Sequence, residues 1–388
     1  MIVRRSRGAT LRLLLAAALL AFATGPGLAQ SAQVPVGRLS DGARVFLSPS
    51  AGGYGLEVAE KGQSRLLRPA PVRLEFFHSE ADIRTVDIPY GSATKQGSDI
   101  VATAEAHDGG ATVHIEDRYS VAGPVLSVSR SVQVEGDSPG TGFLTGLMFG
   151  VPAAHFDAVS YFAPGVLYRG PGQNNTRGPS GSAAFAARNF AIREDALPAP
   201  LLGLSFADQS SVTLLDVAPT GETTEEDTRA ARPTVLIDRR FGFGAFGSRE
   251  DANGNLEFGY WFPGGVTDPK AAGGQLRRRY HPLANGLTQH YRLALRFGQK
   301  ESFPEFDHDA WRWAFDVLKP QLTALDIDMV RRVLFDHLAD RVTTIGGRTG
   351  IPWIFQVTNG ENWHRPDDMR AAMGFVGLEL FCLGYWRR

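Results

Sequence analysis

The hydrophobic period of the sequence changes once, near Phe303-Pro304, and that switch sets what the chain can fold into. Upstream, from residue 36 to about 298, short alternating runs are separated by Gly, Pro, Asn and Asp. Examples are Val72-Arg73-Leu74-Glu75-Phe76, Thr112-Val113-His114-Ile115-Glu116, Val125-Leu126-Ser127-Val128-Ser129, Val212-Thr213-Leu214-Leu215 and Tyr291-Arg292-Leu293-Ala294-Leu295. Alternation places apolar side chains on one face of a half-buried antiparallel strand. The stretch is too long for an immunoglobulin-sized unit, so residues 33–303 are expected to form a large antiparallel β-sandwich of two big packed sheets.

Downstream the period becomes helical, and residues 304–388 read as a helical segment. Asp307 or Asp309 is expected to cap a first helix with the stripe Trp311, Phe315 and Leu318, ended by Pro320. Asp326 caps a second, with Val330, Val333, Leu334 and Leu338 on one side. Asp367 or Asp368 opens a third, carrying Met369, Ala372, Met373, Val376, Leu380 and Leu383. This third stripe runs directly into Gly384-Tyr385-Trp386-Arg387-Arg388, which leads to the expectation that the chain is the front part of a longer protein.

Residues 1–29 have the three parts of a secretory signal peptide. Arg4, Arg5, Arg7 and Arg12 form a basic start, residues 13–23 an uncharged apolar run, and Gly25-Pro26-Gly27-Leu28-Ala29 a helix break ending in small residues, with cleavage after Ala29 or Ala32. The apolar run of about eleven residues is short of the roughly twenty a membrane span needs, so no stable anchor is expected after cleavage. A periplasmic or secreted protein follows. A net charge of −1 leaves no basic footprint for nucleic acid. One cysteine, Cys382, excludes an internal disulfide framework, and its neighbours Leu380, Phe381 and Leu383 suit a buried thiol.

A large sandwich followed by the start of a helical-hairpin array resembles the amino-terminal part of glycoside hydrolases and polysaccharide lyases built from a super-sandwich and an (α/α)6 toroid. Arg193-Glu194-Asp195-Ala196-Leu197-Pro198-Ala199-Pro200, Gly350-Ile351-Pro352-Trp353 and Met373-Gly374-Phe375-Val376-Gly377 are the local strings that accompany it. The chain departs from that architecture in supplying three toroid helices of a much larger set. The resemblance implies a carbohydrate partner, an oligo- or polysaccharide, and acid/base chemistry by carboxylates.

Glycoside hydrolysis needs two carboxyl groups flanking the scissile bond. Glu194, Asp195 and Glu361 are the candidates, although adjacent residues on a strand point to opposite faces, so Glu194 and Asp195 do not form a pair unless a turn re-aims one. A lyase would instead need a base and a group neutralising a uronate, for which His364, Tyr168 and Arg193 are available. Tyr168, Asn174 and Asn175 lie in the aromatic and amide-rich stretch 161–177, a long loop suited to sugar recognition, and Trp353 and Trp363 offer aromatic faces near the interhelical loop. A non-catalytic carbohydrate-binding envelope protein and a purely structural sandwich are the other readings.

Several motifs fail on context. Gly242-Phe243-Gly244-Ala245-Phe246-Gly247 matches a dinucleotide fingerprint in spacing but opens no helix. Asp251-Ala252-Asn253-Gly254-Asn255 is a hairpin turn rather than a calcium loop. The nine histidines show no zinc-like spacing, so no metal and no cofactor are expected.

Overall fold

The computed structural model describes residues 32–152, 154–168, 188–221, 234–267, 276–299, 302–321, 324–340, 342–345 and 348–350. The signal segment and the expected third helix lie outside them. In chain order, β1 (Val34–Arg38), β2 (Arg44–Ser50), β3 (Gly53–Glu60) and β4 (Gln63–Arg68) form an antiparallel meander. β5 (Val72–Ser79) and β6 (Asp82–Ile88) open the first large sheet, while β7 (Ser92–Gln96), β8 (Asp99–Asp108), β9 (Gly110–Ala122) and β10 (Val125–Asp137) are a meander in the second. β11 (Gly142–Val151) returns to the first. β12 (Ser160–Ala163) and β13 (Leu167–Tyr168) belong to the second, and β14 (Asn189–Arg193) again to the first. β15 (Leu201–Ser205) and β16 (Ser211–Asp216) join the second sheet. β17 (Val235–Ile237), β18 (Ala245–Glu250), β19 (Leu256–Phe262), β20 (Val266–Thr267) and β21 (Leu276–Pro282) join the first, and β22 (Thr288–Gly298) the second.

The second sheet therefore has nine strands in the order β13-β12-β15-β16-β22-β10-β9-β8-β7. Between it and the first sheet lies one hydrophobic core, the outcome of the alternation seen in the sequence. Val113, Ile115 and Tyr119 of β9 and Leu126, Val128, Val132 and Val134 of β10 point inward, while the intervening polar residues face out. The expected large antiparallel sandwich is thus the fold.

The core also holds a polar chain. Arg130 makes a bidentate pair with Asp117, 2.7 and 2.6 Å, and both side chains are fully buried. Tyr90 donates to the same carboxylate, and Arg130 also donates to the Gly146 carbonyl at 2.6 Å and to the Tyr291 hydroxyl at 3.0 Å. Further along, Thr145 donates to Gln289 at 2.6 Å, and Gln289 donates to His281 Nδ1 at 3.1 Å. Burial pushes the His281 imidazole down to about 4, so it stays neutral and donates from Nε2 to the Phe241 carbonyl at 2.7 Å.

After the last strand, α1 (Phe303–Leu318) packs on the outer face of the nine-stranded sheet. Its cap differs from the aspartates expected: Ser302 and Glu305 form a capping box, with Glu305 accepting from the Ser302 amide at 2.9 Å and its hydroxyl at 2.7 Å. The start is earlier because this box and Pro304 satisfy the first turn before Asp307 is reached. Phe306, Ala310 and Ala314 are the buried stripe, against Phe162, Leu201 and Leu215, while Phe315 is exposed. Gly203 permits this approach, since a Cβ there would lie 2.5 Å from the Phe306 ring. The chain divides into two compact units, Met1–Lys319 and Pro320–Arg388, so α1 belongs with the sandwich. The second unit contains α2 (Ile327–Ala339), capped by Asp326 as expected through amides at 3.0 Å, and the hairpin of β23 (Thr343–Ile345) and β24 (Arg348–Gly350). Among the described residues, no helix is long and apolar enough to cross a membrane.

Candidate functional site

Of the residues singled out from the sequence, Arg193, Glu194 and Asp195 sit at the junction of β14 and a short 3-10 turn, Glu194–Ala196. The backbone sends the two carboxylates apart. Asp195 turns outward and receives the Arg193 guanidinium in a fork, one arm at 2.8 Å, while Arg193 lies 3.9 Å over the Phe243 ring. Glu194 turns inward and is 4 % exposed. Tyr168 is half-exposed, lies tilted against the Phe162 ring and accepts the Gly165 amide at 3.1 Å. Asn174, Asn175, Trp353, Glu361, Trp363 and His364 lie outside the described residues. The Asp251 turn is a hairpin turn between β18 and β19, its carboxylate accepting the Asn253 and Asn255 amides at 2.8 Å.

The partner of Glu194 is Asp216, at the end of β16, with Tyr260 of β19 beside both. Glu194 Oε1 accepts the Gly244 amide at 2.5 Å, and its Oε2 lies 3.1 Å from the Tyr260 hydroxyl, which is 2.9 Å from Asp216 Oδ2. Asp216 Oδ1 accepts the Ala218 amide at 2.8 Å. Burial first, and then the Asp216 charge, push the Glu194 carboxyl up to about 8. Burial raises Asp216 as well, against the Ala218 amide and the Tyr260 hydroxyl, which favour its charged form. A hydroxyl has one proton to give. With Tyr260 donating to the nearer Asp216, the proton shared by the two acids resides on Glu194, which then donates in turn.

This pair is closed, since Asp216 is 2 % exposed and Tyr260 not at all. Two carboxyls touching one hydroxyl leave no room for a sugar between them. They do govern stability. A carboxyl whose pKa rises on folding holds its proton more tightly in the native state, so stability falls as pH climbs from the ordinary carboxylate range toward about 8 and levels off above it. Glu194→Gln keeps a neutral hydrogen-bonding group there. Urea unfolding of this variant is expected to show a flattened slope between pH 5 and 8 and a gain of about 1–3 kcal/mol at pH 9; a slope equal to that of the parent would refute the shared proton.

The accessible chemistry lies on the outer face of the nine-stranded sheet, on the part that α1 leaves uncovered. Strand register lays polar side chains there in two parallel rows, Thr103-Glu116-Ser131-His290 and Glu105-His114-Gln133-Thr288. They line a groove of about 600 Å³. His114 stands between Glu105 and Glu135, at 3.3 and 3.4 Å, and Glu105 also meets His107 at 3.1 Å. His290 meets the Ser131 hydroxyl at 3.2 Å, and Arg118 is tied to Glu116 at 2.9 Å. Glu105 and Glu116 occupy diagonal positions on neighbouring strands, which places their backbones about 7–8 Å apart. Carboxyl couples that flank a glycosidic bond stand about 5–5.5 Å or about 6.5–9.5 Å apart, a spacing within reach of two glutamate side chains at such positions. A second crevice, about 650 Å³, is lined in part by Glu60, Arg65 and Gln299, and Arg65 and Gln299 both also engage Asp41.

Asp216, Tyr260 and the groove residues were not among the sequence candidates. An aspartate closing the otherwise apolar run Val212-Thr213-Leu214-Leu215 was the available signal for the first.

No family model matches the sequence, and no curated protein matches it. Solved structures do match. A putative aldose 1-epimerase from Escherichia coli K12 is 11 % identical with a TM-score of 0.41, over 69 % of this chain and 99 % of that one. A galactose mutarotase related enzyme from Lactobacillus acidophilus is 10 % identical with a TM-score of 0.37, over 70 % and 99 %. A GH36 α-galactosidase from Geobacillus stearothermophilus is 11 % identical with a TM-score of 0.39, over 70 % of this chain and 40 % of that one. These are likenesses of fold alone.

Proposed function

We propose that this chain is an exported carbohydrate-processing protein of the glycoside hydrolase type, which lays a saccharide across the groove of the nine-stranded sheet and uses Glu105 and Glu116 as its carboxyl couple. The groove carries this reading. It is large enough for sugar rings, open to solvent, and lined by side chains that pair with hydroxyls: carboxylates and an amide carbonyl as acceptors, imidazoles, hydroxyls and the Gln133 amide as donors. The basic start, apolar run and small-residue break of residues 1–29 support export. Glu194, enclosed beside Asp216, is read as an internal proton holder rather than as a reacting acid.

The test is binding. A glycan array probed with the protein is expected to return saccharide ligands, and silence across all glycans would sink the proposal. Ser131 sits between Glu116 and His290, so Ser131→Trp fills the groove with an indole. This variant is expected to abolish saccharide binding in calorimetric titration while unfolding within about 1 kcal/mol of the parent. Retained binding would move the site elsewhere.

A further inference from the structure

Two Asn-Gly dipeptides stand in described turns, Asn253-Gly254 between β18 and β19 and Asn285-Gly286 between β21 and β22, while Asn359-Gly360 lies outside the described residues. In this dipeptide the side-chain amide is open to attack by its own chain, because glycine has no Cβ to shield the backbone nitrogen. Both described asparagines are exposed, but they are held differently. The Asn285 carboxamide oxygen accepts the Gly136 amide at 3.1 Å, and the Gly286 amide donates to the Val134 carbonyl at 2.9 Å, so freeing this pair means parting the chain from β10. The Asn253 side chain makes no hydrogen bond among the described residues, and the Gly254 amide is held within its own turn, on the Asp251 carbonyl at 3.0 Å.

We infer that Asn253 is a modification site, the position at which the folded protein deamidates, and that the Asp251 carboxylate is the brake on this reaction. The Gly254 nitrogen, its proton taken by solvent base, forms a bond to Asn253 Cγ, and the Cγ–Nδ2 bond breaks as ammonia leaves with a proton. Water then opens the five-membered imide at either carbonyl, leaving aspartate or isoaspartate. One water enters and one ammonia departs, and nothing is oxidised or reduced. The attack requires the Gly254 nitrogen to turn toward Asn253 Cγ. Asp251 Oδ1 opposes that rotation by accepting the amides on both sides of it, Asn253 and Asn255, at 2.8 Å each. Either product adds a carboxylate two residues from that of Asp251. Isoaspartate also reroutes the chain through Cβ and lengthens it by one bond at the tip of the hairpin, which draws the Gly254 carbonyl off its donor, His155 Nδ1, 2.9 Å away.

Peptide mass spectrometry of the full chain, incubated at mildly alkaline pH both folded and in urea, tests this. In the folded chain Asn253 is expected to deamidate at least about tenfold faster than Asn285, because a turn opens locally whereas the Val134 pairing opens only with the sheet. In urea the two share the same dipeptide and are expected to react within about threefold of each other. Asp251→Ala is expected to speed the reaction at Asn253 by about threefold to tenfold in the folded chain, with Asn285 unchanged and no acceleration in urea. Asn285 reacting as fast as Asn253 in the folded chain overturns the site, as does an intact Asn253 under conditions where the chain in urea reacts. A rate in Asp251→Ala equal to that of the parent overturns the brake. Equal acceleration at both asparagines overturns it too, since that marks a general loosening of the fold.

Discussion

Replacing Glu105 or Glu116 by Gln is expected to lower hydrolysis of an unactivated glycoside by about 10²- to 10⁴-fold, the span a positioned acid or base contributes. One carboxyl of the couple must give a proton to the departing oxygen and the other must activate water or attack directly, and an amide does neither. The two variants separate the roles. An aryl glycoside has a leaving group that departs without protonation, so the variant lacking the acid retains much of its rate on that substrate, whereas the variant lacking the base or nucleophile loses rate on both. Both side chains are exposed on strand positions, so unfolding is expected to stay within about 0.5 kcal/mol of the parent. Steady-state kinetics on the two substrate types is the measurement. Unchanged kcat/KM in both variants would leave the groove as a binding surface only.

The largest loss of stability is expected at Asp117. Arg130 and Asp117 are fully buried and joined through two hydrogen bonds, and removing one partner leaves a charge in the core with no counter-ion. Asp117→Ala is expected to destabilise the sandwich by about 3–5 kcal/mol in urea unfolding. Tyr90 loses its acceptor in the same variant. The combination Asp117→Leu with Arg130→Met removes both charges, and it should recover most of that loss. Equal destabilisation by the single and the double replacement would mean that shape rather than charge is what the pair contributes.

The sandwich was legible in the sequence because its strands alternate: each run with every second residue apolar has one face to bury, and β9 and β10 bury that face, with the Asp117–Arg130 pair as its charged members. The first helix was legible in existence and in part of its face, since Trp311 and Leu318 pack against the buried cluster while Phe315 is exposed. The bulk of Phe315 suggests a core position, yet the small Ala310 and Ala314 are what let the helix sit close to the sheet around Phe306. The site was less legible. Polar members of an alternating strand look like a solvated face, and only register turns them into a groove. Part of that register was within reach: the turn at Asp108-Gly109-Gly110, where Gly109 takes φ +57°, centres a hairpin that sets Glu105 opposite His114. The pairing of Ser131 with His290, by contrast, joins segments from opposite ends of the sandwich, and no local pattern reports it. Glu194 was singled out in the sequence as a candidate catalytic acid, but its partner Asp216 meets it only through tertiary packing.

The position of β22 bears on how the protein is made. It is the last strand of the sandwich in sequence and lies in the middle of the nine-stranded sheet, hydrogen-bonded to β10 on one side and β16 on the other. Until residues 288–298 arrive, the sheet is two separate halves, each with a long bare edge. For a chain emerging from its amino terminus, across a translocation pore or from the ribosome, those edges stay unpaired for most of synthesis, in the state most open to pairing with another molecule. The central strand closes them both in one step, which makes completion of the sandwich a late event and gives a holding chaperone a defined interval in which to act.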